Sequence, residues 1–213
     1  MSTGDLVTLL ATGAGAATTD ATSRRFAIAM TCGTVVAMLL MIFLLGVRPD
    51  LREAIFLPKF WIKVAFVGCV AAATLLLSIR LSLPGFPLGR APVGLAIPVF
   101  AIWAVAATAL FNGDPAQRAQ MFFGDTWVVC PFLIAMLSVP IFAGVIWAMR
   151  GLAPTRLRLA GGIAGLLAGA TGALIYCLHC PEMEAPFVGF WYLLGMLIPA
   201  GIGALSGRRL LRW

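Results

Sequence analysis

Thiol, imidazole and carboxylate groups crowd into one stretch of the 213-residue chain, Cys177-Leu178-His179-Cys180-Pro181-Glu182-Met183-Glu184. It holds the only histidine, two of the five cysteines and two of the eight acidic residues. Thiolates and imidazole suit zinc, copper and similar ions, and a pair of thiols is also a redox couple. A further thiol, Cys130, is expected about one turn below the same membrane surface. Cys130 and Cys180 can then form a redox pair or, with His179 and Glu182, a soft-metal site. The inert reading stands beside these: Cys130 packs in a helix bundle while His179 and the glutamates solvate a loop. A disulfide demands Cα atoms about 4.4–6.8 Å apart, which chain spacing does not reveal. Nothing matches a strong metal signature such as paired Cys-x-x-Cys motifs. Cys32 and Cys69 fall within apolar runs, where a thiol usually acts as a small apolar side chain.

The elements that must position these groups are apolar. Hydrophobic residues make up 62% of the chain and charged residues 11%, with a mean hydropathy of +1.02; a soluble domain is about half apolar and about a quarter charged. The fold class is therefore all-α, a polytopic integral membrane protein. A spanning helix needs about 20 mostly apolar residues, and six stretches qualify: 27–47, 60–80, 91–111, 126–149, 157–178 and 186–207. Turn residues and charges punctuate them, as at Arg48-Pro49-Asp50 and Asn112-Gly113-Asp114-Pro115. The short loops predict one bundle of six transmembrane helices over 26–213, preceded by an N-terminal segment, 1–25, that carries no evident cleavable signal peptide. Gly161, Gly165 and Gly169, with Gly203 and Gly207, are spaced for close helix packing in lipid. Pro98, Pro131, Pro140 and Pro199 are expected to kink helices in ways neighbours tolerate.

The net charge of +7 and pI of 9.8 do not point to direct nucleic-acid binding, because the basic residues stand singly or in pairs at the ends of apolar runs. They suit lipid headgroups and topology signals. Ten Lys and Arg residues fall on the side of the termini and five on the other, so both termini are expected in the cytoplasm of an inner-membrane protein. The His-Cys-Pro-Glu corner then faces the periplasm. Helix interiors nearly empty of acids and bases give a coupled transporter little support, with Lys63 expected to snorkel to a surface. Trp61, Trp103, Trp127, Trp147 and Trp191 read as an interfacial aromatic belt. At the N-terminus, Asp5-Leu6-Val7-Thr8-Leu9-Leu10 can form an amphipathic turn or two ahead of a flexible tail.

Leu178-His179-Cys180-Pro181-Glu182, followed by Phe187-Val188 and Trp191-Tyr192, resembles the NrsF family of membrane anti-sigma factors. The likeness continues at Gly46-Val47-Arg48-Pro49-Asp50-Leu51, Phe60-Trp61, Arg80-Leu81-Ser82-Leu83-Pro84-Gly85, Trp127-Val128-Val129-Cys130 and the ending Gly207-Arg208-Arg209-Leu210-Leu211-Arg212-Trp213. The resemblance implies a non-enzymatic regulator. Six helices anchor a short cytoplasmic N-terminus that sequesters an extracytoplasmic-function sigma factor, with Asp5, Leu6, Leu9 and Leu10 as contact residues. It implies a sensing pair at Cys130 and Cys180, responsive to oxidant or a passing soft metal, with no resident cofactor. From Thr12 to Thr22 the chain departs from relatives, being rich in Gly, Ala and Thr. The alternative from another class is a membrane thiol oxidoreductase using Cys130, Cys177 and Cys180.

Overall fold

A computed structural model describes residues 2–5, 8, 19–82, 89, 91–152 and 154–212. Among these the regular structure is helical. Helix α1 (Thr19–Leu40) runs on through a π turn at Met41–Leu45, and a short α2 (Leu51–Ala54) leads into α3 (Pro58–Ser82). Then come α4 (Ala91–Asn112), a short α5 (Arg118–Phe123), α6 (Cys130–Arg150) and α7 (Leu157–Tyr176). The last helix is composite: α8 (Ala185–Phe187), a π turn at Val188–Tyr192, and α9 (Leu193–Leu210). Six helices are long and apolar enough to cross a membrane. Four of the expected spans lie within three residues of these helices, and the first begins five residues earlier, at Thr22 rather than residue 27. The fourth begins later than residue 126, because Thr126 to Val129 form a turn and Pro131, with no N–H to donate, sits in the first turn of α6.

Helix α7 is the centre of the bundle, with 78% of its apolar window buried. Its most extensive contact is with α9, and α6 and α3 pack on its other faces. Lipid tails are as apolar as leucine, so packing rather than water exclusion holds such helices together. Small residues set the approach. A Cβ on Gly165 would overlap the carbonyl oxygen of Pro199, and Gly161 and Gly203 face each other's backbone oxygens in the same way. A second close pair joins α1 to α6, where a Cβ on Gly33 would come 2.8 Å from Ile141 Cα and one on Gly144 would come 2.9 Å from the Ala29 oxygen. Helix α4 lies outermost, against α3 and α8, with most of its surface bare.

Gly165→Leu is expected to lower the thermal unfolding midpoint in detergent, at or beyond the upper end of the about 1–3 kcal/mol that overpacking costs, because a backbone oxygen cannot rotate aside. Gly201→Leu, whose added Cβ meets open space, is expected to leave the midpoint unchanged. Equal midpoints for the two variants would contradict this account of the α7–α9 contact.

Candidate functional site

Three thiols meet at one end of the bundle. Cys130 opens α6, Cys177 follows the last residue of α7, and Cys180 lies in the turn beyond it. Cys130 and Cys180 are 0% exposed and Cys177 only 1%. All three are free thiols. Cys130 and Cys180, far apart in the chain, lie close enough for their thiols to interact, and the Thr126 hydroxyl lies 4.0 Å from the Cys180 sulfur. Tyr176 lies within interaction range of both thiols. Tyr192, placed by the second π turn, turns its hydroxyl toward Cys177 and Cys180 without a hydrogen bond of normal geometry.

Two buried cations hold the turn that carries Cys180. Lys63 is 1% exposed, and its Nζ donates to the carbonyl oxygens of Cys180 at 3.0 Å and Glu182 at 2.9 Å. The same ammonium lies 4.8 Å from the centre of the Tyr192 ring, within cation–π range. Arg48, 6% exposed, sends Nη1 to the Cys180 carbonyl at 3.3 Å, and its Nε and Nη2 grip both oxygens of Asp50 at 2.7 and 2.5 Å. The loop after α1 completes the clamp, since Arg48 N–H donates to the Leu178 oxygen at 3.1 Å and His179 Nδ1 meets the Gly46 oxygen at 2.9 Å. The first π turn ends at that glycine. Such turns shift helix register and are common at functional sites.

The adjoining Cys130 thiol and, after it, the Lys63 charge hold the Cys180 thiol well below the usual cysteine range against the opposing effect of burial. Burial works the other way on Cys177, whose thiol is pushed up to about 11. A lowered pKa marks a thiol poised for redox or metal chemistry, because the thiolate is the reactive form.

The residues singled out from the sequence separate into two groups. Cys130 and Cys180 come together, and Cys177 joins them. His179 and Glu182 do not complete a ligand set with them. His179 is engaged by Gly46, and the Glu182 carboxylate accepts from the Asp125 N–H at 2.8 Å. Gly124, at φ +54°, makes room for that carboxylate, since a Cβ there would come 2.6 Å from it. Among the described residues no group of three or more His, Cys, Asp or Glu side chains is arranged to hold a metal ion.

Of the N-terminal candidates, Asp5 is exposed and forms a reciprocal cap with Ser2: Ser2 N donates to Asp5 Oδ2 at 2.8 Å and Asp5 N to Ser2 Oγ at 3.2 Å. Leu6, Leu9 and Leu10 lie outside the described residues.

Three features escape a reading of the sequence alone. Lys63 does not snorkel; it lies on the buried stripe of α3 with Phe60, Phe66, Val67 and Val70. That three- and four-residue spacing is its signal. Trp191 leaves the interfacial belt for the interior, where its indole N–H donates to the Phe122 oxygen at 2.9 Å. Ser2 and Asp5 are spaced as a capping pair. Cys177 and Cys180, by contrast, stand in the sequence at Cys-x-x-Cys spacing, the pattern of dithiol redox motifs, and Cys177 borders a groove of about 340 Å³ lined also by Thr34, Met38, Trp61 and Thr171.

The model of a family described as negative regulator of sigma F, NrsF, matches residues 10–213. The chain is 56% identical over 213 residues to a probable anti-sigma-F factor NrsF of Azospira oryzae, covering all of both chains. It is 41% identical over 215 residues to an anti-sigma-F factor NrsF of Caulobacter vibrioides, again covering all of both. No solved structure matches the chain.

Asp50 is held below its ordinary 3.8 chiefly by the Arg48 hydrogen bonds. A carboxyl with a depressed folded-state pKa contributes stability in full above its ordinary value and loses it as pH falls through the lower one. The clamp is therefore expected to loosen below about pH 4. Asp50→Asn should loosen it at neutral pH, seen as severalfold faster maleimide labelling of Cys180 by mass spectrometry. Wild-type labelling rates in that variant would remove Asp50 from the clamp.

Proposed function

The chain belongs to the NrsF family of negative regulators of sigma F, and on that premise we propose that it is a membrane-bound anti-sigma factor with a thiol trigger. It holds an extracytoplasmic-function sigma factor at the inner membrane through its N-terminal segment. Both termini face the cytoplasm and the cysteine corner faces the periplasm, as the ten-to-five division of basic residues suggests. Oxidation of Cys130 and Cys180, or capture of a soft metal ion by the two sulfurs, releases the partner. A metal acts here as a passing signal, and the role is regulatory rather than catalytic.

The observation that supports this reading best is the burial of the Cys130 and Cys180 thiols side by side, each acting on the other. Oxidation joins the two sulfurs and passes two electrons and two protons to the oxidant, so that peroxide becomes water. Cys130 starts a helix of 21 residues, about 30 Å long at 1.5 Å per residue. That helix packs on α1 through Gly33 and Gly144, and Arg25 of α1 stacks 5.5 Å from the Trp147 ring at the far end. A shift of α6 thus has a direct mechanical route to α1 and to the segment before it. A disulfide is worth about 2–4 kcal/mol, enough to move a two-state ratio by roughly 30- to 900-fold.

The Cys-x-x-Cys spacing of Cys177 and Cys180 favours a second reading, a membrane thiol oxidoreductase using Cys130, Cys177 and Cys180. Turnover of a dithiol substrate by the purified protein would support it.

The test of the first reading is the Cys130→Ser/Cys180→Ser double variant, in which peroxide or a soft metal is expected to release no sigma factor while wild type releases most of it. An unchanged response would sink the trigger. A peptide of residues 1–25 is expected to retain an extracytoplasmic-function sigma factor in pull-down, and retention by the transmembrane domain alone would move the binding site elsewhere.

A further inference from the structure

Lys63 is an anomaly that the bundle itself does not require. A lysine within a spanning helix is costly, and such residues occur where a partner or a function compensates. Two backbone carbonyls and the Tyr192 ring hold its ammonium. Among the described residues no carboxylate neutralises it. Asp50 is taken by Arg48, Glu184 by Lys59 at 2.5 Å, and the Glu182 side chain by the Asp125 N–H. The acidic groups described in this buried corner that feel its charge are the thiols of Cys130, Cys177 and Cys180.

We propose that Lys63 is the positioning residue of the thiol pair: fixed on the Cys180 and Glu182 carbonyls, its ammonium holds Cys180 against Cys130 and serves as counter-charge to the Cys180 thiolate. The proposal rests on the sensing role proposed for that pair and adds the group that makes it react. With hydrogen peroxide as oxidant, the Cys180 thiolate attacks one peroxide oxygen and the O–O bond breaks. The departing hydroxide takes up the proton that left Cys180, giving water and a sulfenic acid. Cys130 sulfur then displaces hydroxide from Cys180 sulfur, its own proton completing a second water. In the first step the negative charge passes from the Cys180 sulfur to the departing hydroxide, and in a site of low polarity a fixed cation acting on that thiol counts for more than in water.

Arg48 provides the internal comparison. It binds the same carbonyl, but its charge is balanced by the bidentate Asp50. Of the two cations, Lys63 alone brings an unbalanced charge to the sulfurs.

The experiment measures disulfide formation in the full-length protein in detergent at fixed peroxide, with the bond mapped by peptide mass spectrometry. Lys63→Met is expected to slow formation of the Cys130–Cys180 bond about tenfold or more, while Lys63→Arg, which keeps the charge, stays within about threefold of wild type. Lys59→Met, which removes an exposed lysine paired with Glu184 outside the clamp, is likewise expected within about threefold. Lys63→Gln, which retains a donor for the Cys180 carbonyl, carries the same comparison if the methionine variant does not fold, and it is expected to be slow. A wild-type rate in Lys63→Met or Lys63→Gln would overturn the proposal. So would a rate in Lys63→Arg as low as in the neutral variants, or a wild-type bond mapped to Cys177–Cys180. Sigma-factor release is scored separately. A wild-type protein that closes the disulfide quickly without releasing its partner would refute the trigger and leave the role of Lys63 intact.

Discussion

The carbonyl oxygen of Cys180 accepts from two buried cations at once, Lys63 Nζ and Arg48 Nη1. Much of the corner follows from that constraint. Charges removed from water must find partners or cost several kcal/mol each, so the turn from Leu178 to Glu182 is drawn onto α3 and the loop after α1. The turn then has little freedom of its own. Its sulfur is delivered to Cys130, its histidine to the Gly46 carbonyl, and its first glutamate to the linker before α6. Four parts of the chain are tied together by one short segment.

The opposite requirement governs the rest of the bundle. The buried face of α7 carries no charge to satisfy, and the helices around it are held by how closely their backbones approach. Gly161, Gly165 and Gly203 let α7 and α9 meet with their backbones in contact. Gly33 and Gly144 do the same for α1 and α6. A close-packed centre is thus joined to a polar, cation-held corner, and close-packed interfaces shift between discrete arrangements rather than deform smoothly.

Much of the architecture is legible in the sequence because hydropathy and length are summed over about 20 residues, and errors at single positions average out. The six helices, the glycine seams on α7 and α9, and the crowding at Cys177 to Glu184 are signals of that kind. The site is legible in its membership and less so in its geometry. Lys63 reads as a snorkelling end residue, since one lysine near a helix terminus carries no direction by itself. Only its spacing with Phe60 and Val67 betrays a buried face. Trp191 reads as part of a belt for the same reason. The π turn at Val188–Tyr192, which sequence periodicity does not announce, rotates it and Tyr192 inward.

The amino-acid sequence by itself determined the class of molecule, the number and approximate bounds of its helices and the residue types available for chemistry, since these depend on local composition and on the thickness of a bilayer. Tertiary structure decided which of those residues meet. Cys130 and Cys180 come together, His179 and Glu182 turn away to backbone partners, and Lys63 enters the corner with no carboxylate beside it among the described residues. Such choices are made by the demand of each buried polar group for a partner, and the partners lie far apart in the chain, from 57 residues for Glu182 and Asp125 to 133 for His179 and Gly46.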